Sequence, residues 1–143
     1  MIHPRKELKS ERYIHAAPAA VWQKFTQLHG WPGWYPEVSS VKWLDGDQWR
    51  EGAHFALTNS QGETYRFVIR MVAPGSATVW ESLSPALNAV FTFHCTDQVG
   101  GCKVTMGCTY HGIAALTVWL QYGRHQAQVT RPLDALKAHF DRK

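Results

Sequence analysis

The chain is 143 residues long, 45% hydrophobic and 18% charged, with a formal net charge of +4. That size fits one domain with a core of its own, and the apolar content excludes a disordered chain. No stretch approaches the roughly 20 apolar residues of a membrane-spanning helix, and the N-terminus, Met1-Ile2-His3-Pro4-Arg5-Lys6-Glu7, turns charged where a secretory leader would be apolar. A soluble, cytoplasmic protein with no stable membrane insertion is expected. Its basic residues are scattered and form no stripe, so the positive charge reads as a solvated surface and no nucleic-acid partner is expected.

In chain order, residues 8–15 alternate loosely and carry Tyr13 and Ile14, which suits an opening strand. Residues 17–25 then read as a helix with Pro18 in its first turn, where the missing N–H costs nothing, and with Val21, Trp22, Phe25 and Leu28 facing inward. His29 to Pro36, broken by two prolines and two glycines, allows only an irregular turn, pinned to the body by Trp31 and Trp34.

From Val38 the period changes to two. Strands are predicted over 38–44, 53–59, 63–73, 76–83, 89–96 and 102–111, separated by Asp45-Gly46-Asp47, Ser60-Gln61-Gly62, Pro74-Gly75 and Gly100-Gly101. In the third of these, Tyr65, Phe67, Ile69 and Met71 fall on a dry face, and Thr64, Arg66, Val68 and Arg70 on a wet one. One-sided strands joined by short turns predict an antiparallel meander. Trp43 and Trp80 stay unassigned to a face, because Val41 and Val79 compete for the inner side and a bulge would switch either strand. The tail, 114–140, has apolar residues at helical spacing, with Pro132 predicting a kink or restart near Thr130.

This order carries a resemblance. Ile14-His15-Ala16-Ala17-Pro18-Ala19-Ala20-Val21-Trp22 is similar to a stretch written in one family as isoleucine, a small-residue–proline step and a Val-Trp helix. Trp31-Pro32-Gly33-Trp34-Tyr35-Pro36-Glu37-Val38 resembles its Trp-x-x-Trp-x-Pro entry into the second strand, and Gly52 with Phe55 its Gly-x-x-Phe start of the third. The chain thus resembles the START/Bet v 1-like (SRPBCC) superfamily, in particular bacterial polyketide cyclase/dehydratase-like proteins. The resemblance implies an α+β helix-grip fold over residues 1–143 as a single domain. In that fold a curved seven-stranded antiparallel sheet wraps a long C-terminal helix, short helices follow the first strand, and a cavity lies between sheet and helix. It places the cavity entrance near Trp31–Pro36. Relatives include lipid and hormone binders, aromatase/cyclases and chaperone co-activators, and no catalytic pattern common to all of them carries over.

If the dry face is concave, the cavity wall consists of Phe55, Tyr65, Phe67, Ile69, Phe91, Phe93, Met106 and Tyr110. Leu116, Trp119, Leu120 and Gly123 of the tail helix would close it. Such a mostly apolar lining suits a small hydrophobic ligand, although each residue taken singly also suits a packed core. Arg12 shares the inward parity of Ile14 and, with Tyr110 across the pairing of first and last strands, forms the weak catalytic pair: a guanidinium to hold an enolate and a phenol to move a proton. The competing reading of Arg12 is a rim arginine reaching water.

Eight histidines show no His-x-x-x-His or Glu-x-x-His spacing, so no metal is expected, and no cofactor motif occurs. Cys95, Cys102 and Cys108 lack a ligand spacing and read as small core residues. The expected function is a carrier or sensor of a small hydrophobic or aromatic molecule. The alternatives are an aromatase/cyclase or dehydratase, and a protein-interaction module of the chaperone co-activator kind.

Overall fold

The computed structural model describes residues 5–83, 89–111 and 122–141. The elements are β1 (Arg5–Ile14), α1 (Pro18–Thr26), a 3₁₀ turn (Leu28–Gly30), α2 (Trp31–Trp34), β2 (Val38–Asp45), β3 (His54–Asn59), β4 (Thr64–Ala73), β5 (Ala77–Ser82), β6 (Ala89–Gln98), β7 (Gly101–His111) and α3 (Tyr122–Asp141). The strands form one seven-stranded sheet in the order β1-β7-β6-β5-β4-β3-β2, every pair antiparallel. Only the β1–β7 pairing crosses over, which places the first strand beside the last. The fold is α+β, with α3 lying against β1 and β7.

Local chemistry explains the joins. Pro18 opens α1, and Ala17 at its N-cap keeps an extended backbone. The expected irregular turn before β2 is a 3₁₀ turn running into the single helical turn Trp31–Trp34, so two short segments replace the one helix that Pro32 forbids. The β6–β7 hairpin turns at Val99-Gly100, one residue earlier than the Gly100-Gly101 expectation, with Gly100 at a φ of +78°. Gly101 is instead a strand residue: a Cβ there would stand 2.2 Å from the Ile14 carbonyl oxygen, so only glycine lets β1 approach β7 at this end.

The dry face of β4 departs from strict alternation. Ile69 is opposite Trp80, but the next pair is Met71 with Val79, so Arg70 is the extra residue of a bulge. Met71 is thereby turned outward and is 37% exposed, a correction to its expected inward face. The same bulge keeps Trp80 and Thr78 inward on β5, and the Thr78 hydroxyl donates to the Met71 carbonyl at 2.7 Å. Val68, expected on the wet face, is 3% exposed between its neighbours His54 and Glu81. Val41 and Trp43 do not compete for the inner face. Both sit on the side of β2 that meets Leu57 and Phe55.

On the concave face an aromatic cluster carries most of the packing. Phe25 stacks on Phe93 with centroids 3.9 Å apart, and Phe25, Trp31, Trp49 and Phe55 interlock at centroid distances of 5.3 to 5.9 Å. Trp49, from the β2–β3 loop, donates its indole N–H to Thr78 Oγ1 at 2.9 Å. At α3, Val129, Leu133 and Leu136 are buried, and the helix runs through Pro132 without a restart.

Candidate functional site

The helices cover the concave face in two patches. The segment from α1 to α2 sits over the aromatic cluster, and α3 sits over β1 and β7. Between them lies a cavity of about 550 Å³. Phe25, Trp31, Trp34 and Trp80 form its wall toward the aromatic cluster. Phe55, Leu57, Tyr65, Phe67, Phe91 and Met106 form its floor on the sheet.

One end of the cavity is polar. There the α2–β2 junction brings Tyr35 and Glu37, the β3–β4 hairpin brings Asn59, Ser60, Gln61 and Glu63, and α3 brings Arg131 beside Pro132. The Arg131 guanidinium donates to Glu37 Oε1 at 2.6 Å, tying the last helix to the α2–β2 junction. The hairpin is held by Asn59, whose Oδ1 accepts from the backbone N–H groups of Gln61 and Glu63 at 3.0 and 2.9 Å. Its Nδ2 donates to Glu63 Oε1 at 3.1 Å. Ser60 N donates to the Glu37 carbonyl at 3.0 Å, which fixes the hairpin against the junction.

Burial holds the Tyr35 phenol above its ordinary pKa, with Glu37 pushing the same way and Arg131 opposing. The ring stacks on Trp34 with centroids 5.7 Å apart. Trp34 is buried, and its Nε1 finds no acceptor among the described residues, a deficit that costs about 1–3 kcal/mol for a buried donor.

Of the residues expected to line a cavity, Phe55, Tyr65, Phe67, Phe91 and Met106 do so. Ile69 and Phe93 are packed beneath it, Phe93 under the Phe25 ring. Leu116, Trp119 and Leu120 lie outside the described residues, and Gly123 falls in the first turn of α3.

The weak catalytic pair does not form. Tyr110 is opposite Lys6 and Arg12 is opposite Val104, so their positions along β1 lie six residues apart and they do not face one another. Arg12 has the inward parity expected, but it lies where α3 crosses the sheet edge. Its Nε donates to Asp134 Oδ1 at 2.8 Å and its Nη1 to Ser10 Oγ and the Glu11 carbonyl. Tyr110 is 1% exposed and interacts with the Cys108 thiol, and burial raises its pKa. Neither residue is among the described residues lining the cavity.

Burial also raises the thiols, Cys95 to about 11 and Cys108 to about 12, so both are protonated at neutral pH and poor nucleophiles. No group of His, Cys, Asp and Glu that could hold a metal occurs among the described residues. The polar rim went unnoticed in the sequence, where Glu37, Glu63 and Arg131 lie far apart and look like ordinary surface charges. The one available signal was the placement of the entrance near Trp31–Pro36.

A family model described as polyketide cyclase/dehydrase and lipid transport matches residues 5–141. The chain belongs to that family. A search of curated proteins finds no match. Among solved structures, a protein from Mesorhizobium loti superposes with a TM-score of 0.78 at 19% identity, covering 96% of this chain and 98% of that one. Norcoclaurine synthase from Thalictrum flavum, solved with dopamine and hydroxybenzaldehyde, gives 0.77 at 14% identity over 99% of this chain and 90% of that one. The di-domain ARO/CYC protein BexL of the BE-7585A biosynthetic pathway gives 0.76 at 16% identity, covering 98% of this chain and 51% of that one. At these identities the likeness shows the fold, and the fold is Bet v 1-like. No helix among the described residues is long and apolar enough to cross a membrane.

Proposed function

We propose that residues 1–143 act as a single ligand-binding domain that holds a small hydrophobic or aromatic molecule in this cavity, as a carrier or sensor. The observation that carries the reading is the cavity itself. Its volume, about 550 Å³, is in the range of small-molecule sites, its walls are aromatic, and its polar groups gather at one end. A ligand would lay an apolar body against Trp31, Phe55 and Phe91 and keep a polar end toward Glu37 and Arg131. The family's description, which includes lipid transport, supports the same reading. The protonated thiols and the engagement of Arg12 with Asp134 favour binding over chemistry.

The experiment is a titration with the neutral apolar fluorophore N-phenyl-1-naphthylamine. Saturable binding at one site is expected, and Leu57→Trp, which projects a larger ring from the floor into the cavity, should abolish it without loss of fold. Binding that is non-saturable, or unchanged in the plugged variant, refutes the reading.

A cyclase or dehydratase is the second reading. In its favour are the family description and the presence of a phenol, Tyr35, and a carboxylate, Glu37, on one rim. Turnover of a polyketide-like substrate that Glu37→Gln abolishes, with affinity kept, would establish it.

A further inference from the structure

We propose that the ligand of this cavity is a cation: an organic amine or quaternary ammonium group carried on an apolar, ring-bearing body. The inference rests on the ligand-binding reading above and adds the charge of what is bound.

Aromatic faces attract cations through the ring quadrupole, and tryptophan does so most strongly. Such rings adjoin the polar end of this cavity. Trp34 and Tyr35 stack beside it, and Glu37 lies two residues beyond Tyr35 in the chain. A cation placed at that end would meet ring faces and a carboxylate together.

The charges point the same way. Among the described residues, the charged side chains on the cavity wall are Glu37, Glu63 and Arg131, a balance of −1 from two carboxylates and one guanidinium. The chain as a whole carries +4. Among the described residues, the charged part of the cavity wall thus has the sign opposite to that of the chain.

The pairing of those three side chains sharpens the choice. Arg131 is already engaged by Glu37 at 2.6 Å. An anionic ligand would have to share that guanidinium with Glu37 and would face two carboxylates. A cation displaces nothing, because Glu63 is held by the neutral amide of Asn59. At the Tyr35 phenol, too, Glu37 raises the pKa by more than Arg131 lowers it. The arrangement attracts amines and rejects carboxylates, and such rejection contributes to specificity as much as attraction does.

The test uses the full chain and three probes that share one body: 4-phenylbutylamine, 4-phenylbutanol and 4-phenylbutyrate, measured by calorimetry at pH 7. The amine should bind about tenfold tighter than the acid, with the alcohol between them. Glu63→Gln should weaken the amine about threefold and leave the alcohol unchanged. Glu37→Gln, which releases Arg131, should move the preference toward the acid. The proposal is overturned if the acid matches or exceeds the amine on the unaltered chain, or if both variants keep the amine preference in full. Equal affinity for all three probes sinks the cation proposal and leaves the ligand-binding reading standing. Binding of none of them, with N-phenyl-1-naphthylamine also unbound, counts against both.

Discussion

Trp31→Ala separates packing from ligand contact at the residue where the two overlap. Trp31 is 4% exposed, packs on Phe25, Trp34, Trp49 and Phe55, and also forms part of the cavity wall. Truncating a buried tryptophan costs about 3–5 kcal/mol, and the low end applies here because the cavity side of the ring already lacks packed neighbours. The indole N–H also donates to the Phe25 carbonyl at 2.7 Å near the end of α1. Losing that donor adds about 1 kcal/mol, held down because water can enter the enlarged cavity and reach the carbonyl. The expected loss is about 4 kcal/mol, or roughly 8–16 °C in Tm for a chain of this size. Urea unfolding followed by far-UV circular dichroism measures it, and an unchanged m-value would show that only stability has moved. Trp31→Phe retains most of the burial and loses the hydrogen bond, so it should cost about 1–2 kcal/mol. A loss below about 1 kcal/mol for Trp31→Ala, with N-phenyl-1-naphthylamine binding abolished, would refute the argument and leave the ring as entrance alone.

Stability should also depend on alkaline pH. Burial raises Cys95 to about 11 and Cys108 to about 12 from an ordinary 9.0, so folding favours the protonated thiols. Their contribution is fully present below about pH 9 and is lost as pH rises through 11 to 12, with the raised Tyr35 and Tyr110 phenols adding to the loss at the upper end. The urea midpoint should therefore fall above pH 9 and fall less steeply in Cys108→Ala; a midpoint that rises with pH would contradict the burial of these groups. Arg12→Ala should leave N-phenyl-1-naphthylamine affinity unchanged and cost no more than about 1 kcal/mol, because the Arg12–Asp134 pair is partly exposed, at 33% and 55%. A tenfold loss of affinity at unchanged stability would return Arg12 to the site.

What was legible in the sequence follows the range of the interactions that decide each feature. Alternation along β6 and β7 is a local property, and Ala89, Phe91, Phe93 and Cys95, with Val104, Met106, Cys108 and Tyr110, are all buried as their parity required. The Arg70 bulge is not local. It depends on how β4 meets β5 and on a Thr78 hydroxyl that satisfies the Met71 carbonyl, so Met71 was assigned to the wrong face. Arg12 and Tyr110 failed as a pair for the same reason. Parity along each strand was right, but register between the strands is a pairwise property, and it sets Arg12 opposite Val104. The rim was hidden most deeply, because Glu37, Glu63 and Arg131 come from three separate segments and only the fold brings them to one end of one cavity.

The ambiguity between core and cavity in the sequence has a physical source. Trp31, Trp34, Phe55 and Trp80 are nearly inaccessible to solvent, yet each also faces the empty space. A large ring can do both, packing over most of its surface while a small part of it borders the space. The cluster around Phe25, stacked on Phe93 at 3.9 Å, anchors the packed faces and so lets the opposite faces remain unfilled. An aliphatic lining of equal volume would present flexible ends that collapse into the void, whereas rings held on one side keep it open. Trp31, Trp34 and Trp80, three of the chain's seven tryptophans, thus both pack and border the cavity of about 550 Å³. It follows that replacing Trp80 by Leu, which removes a ring stacked on Phe91, should shrink ligand affinity through partial collapse of the wall even where the lost area is small.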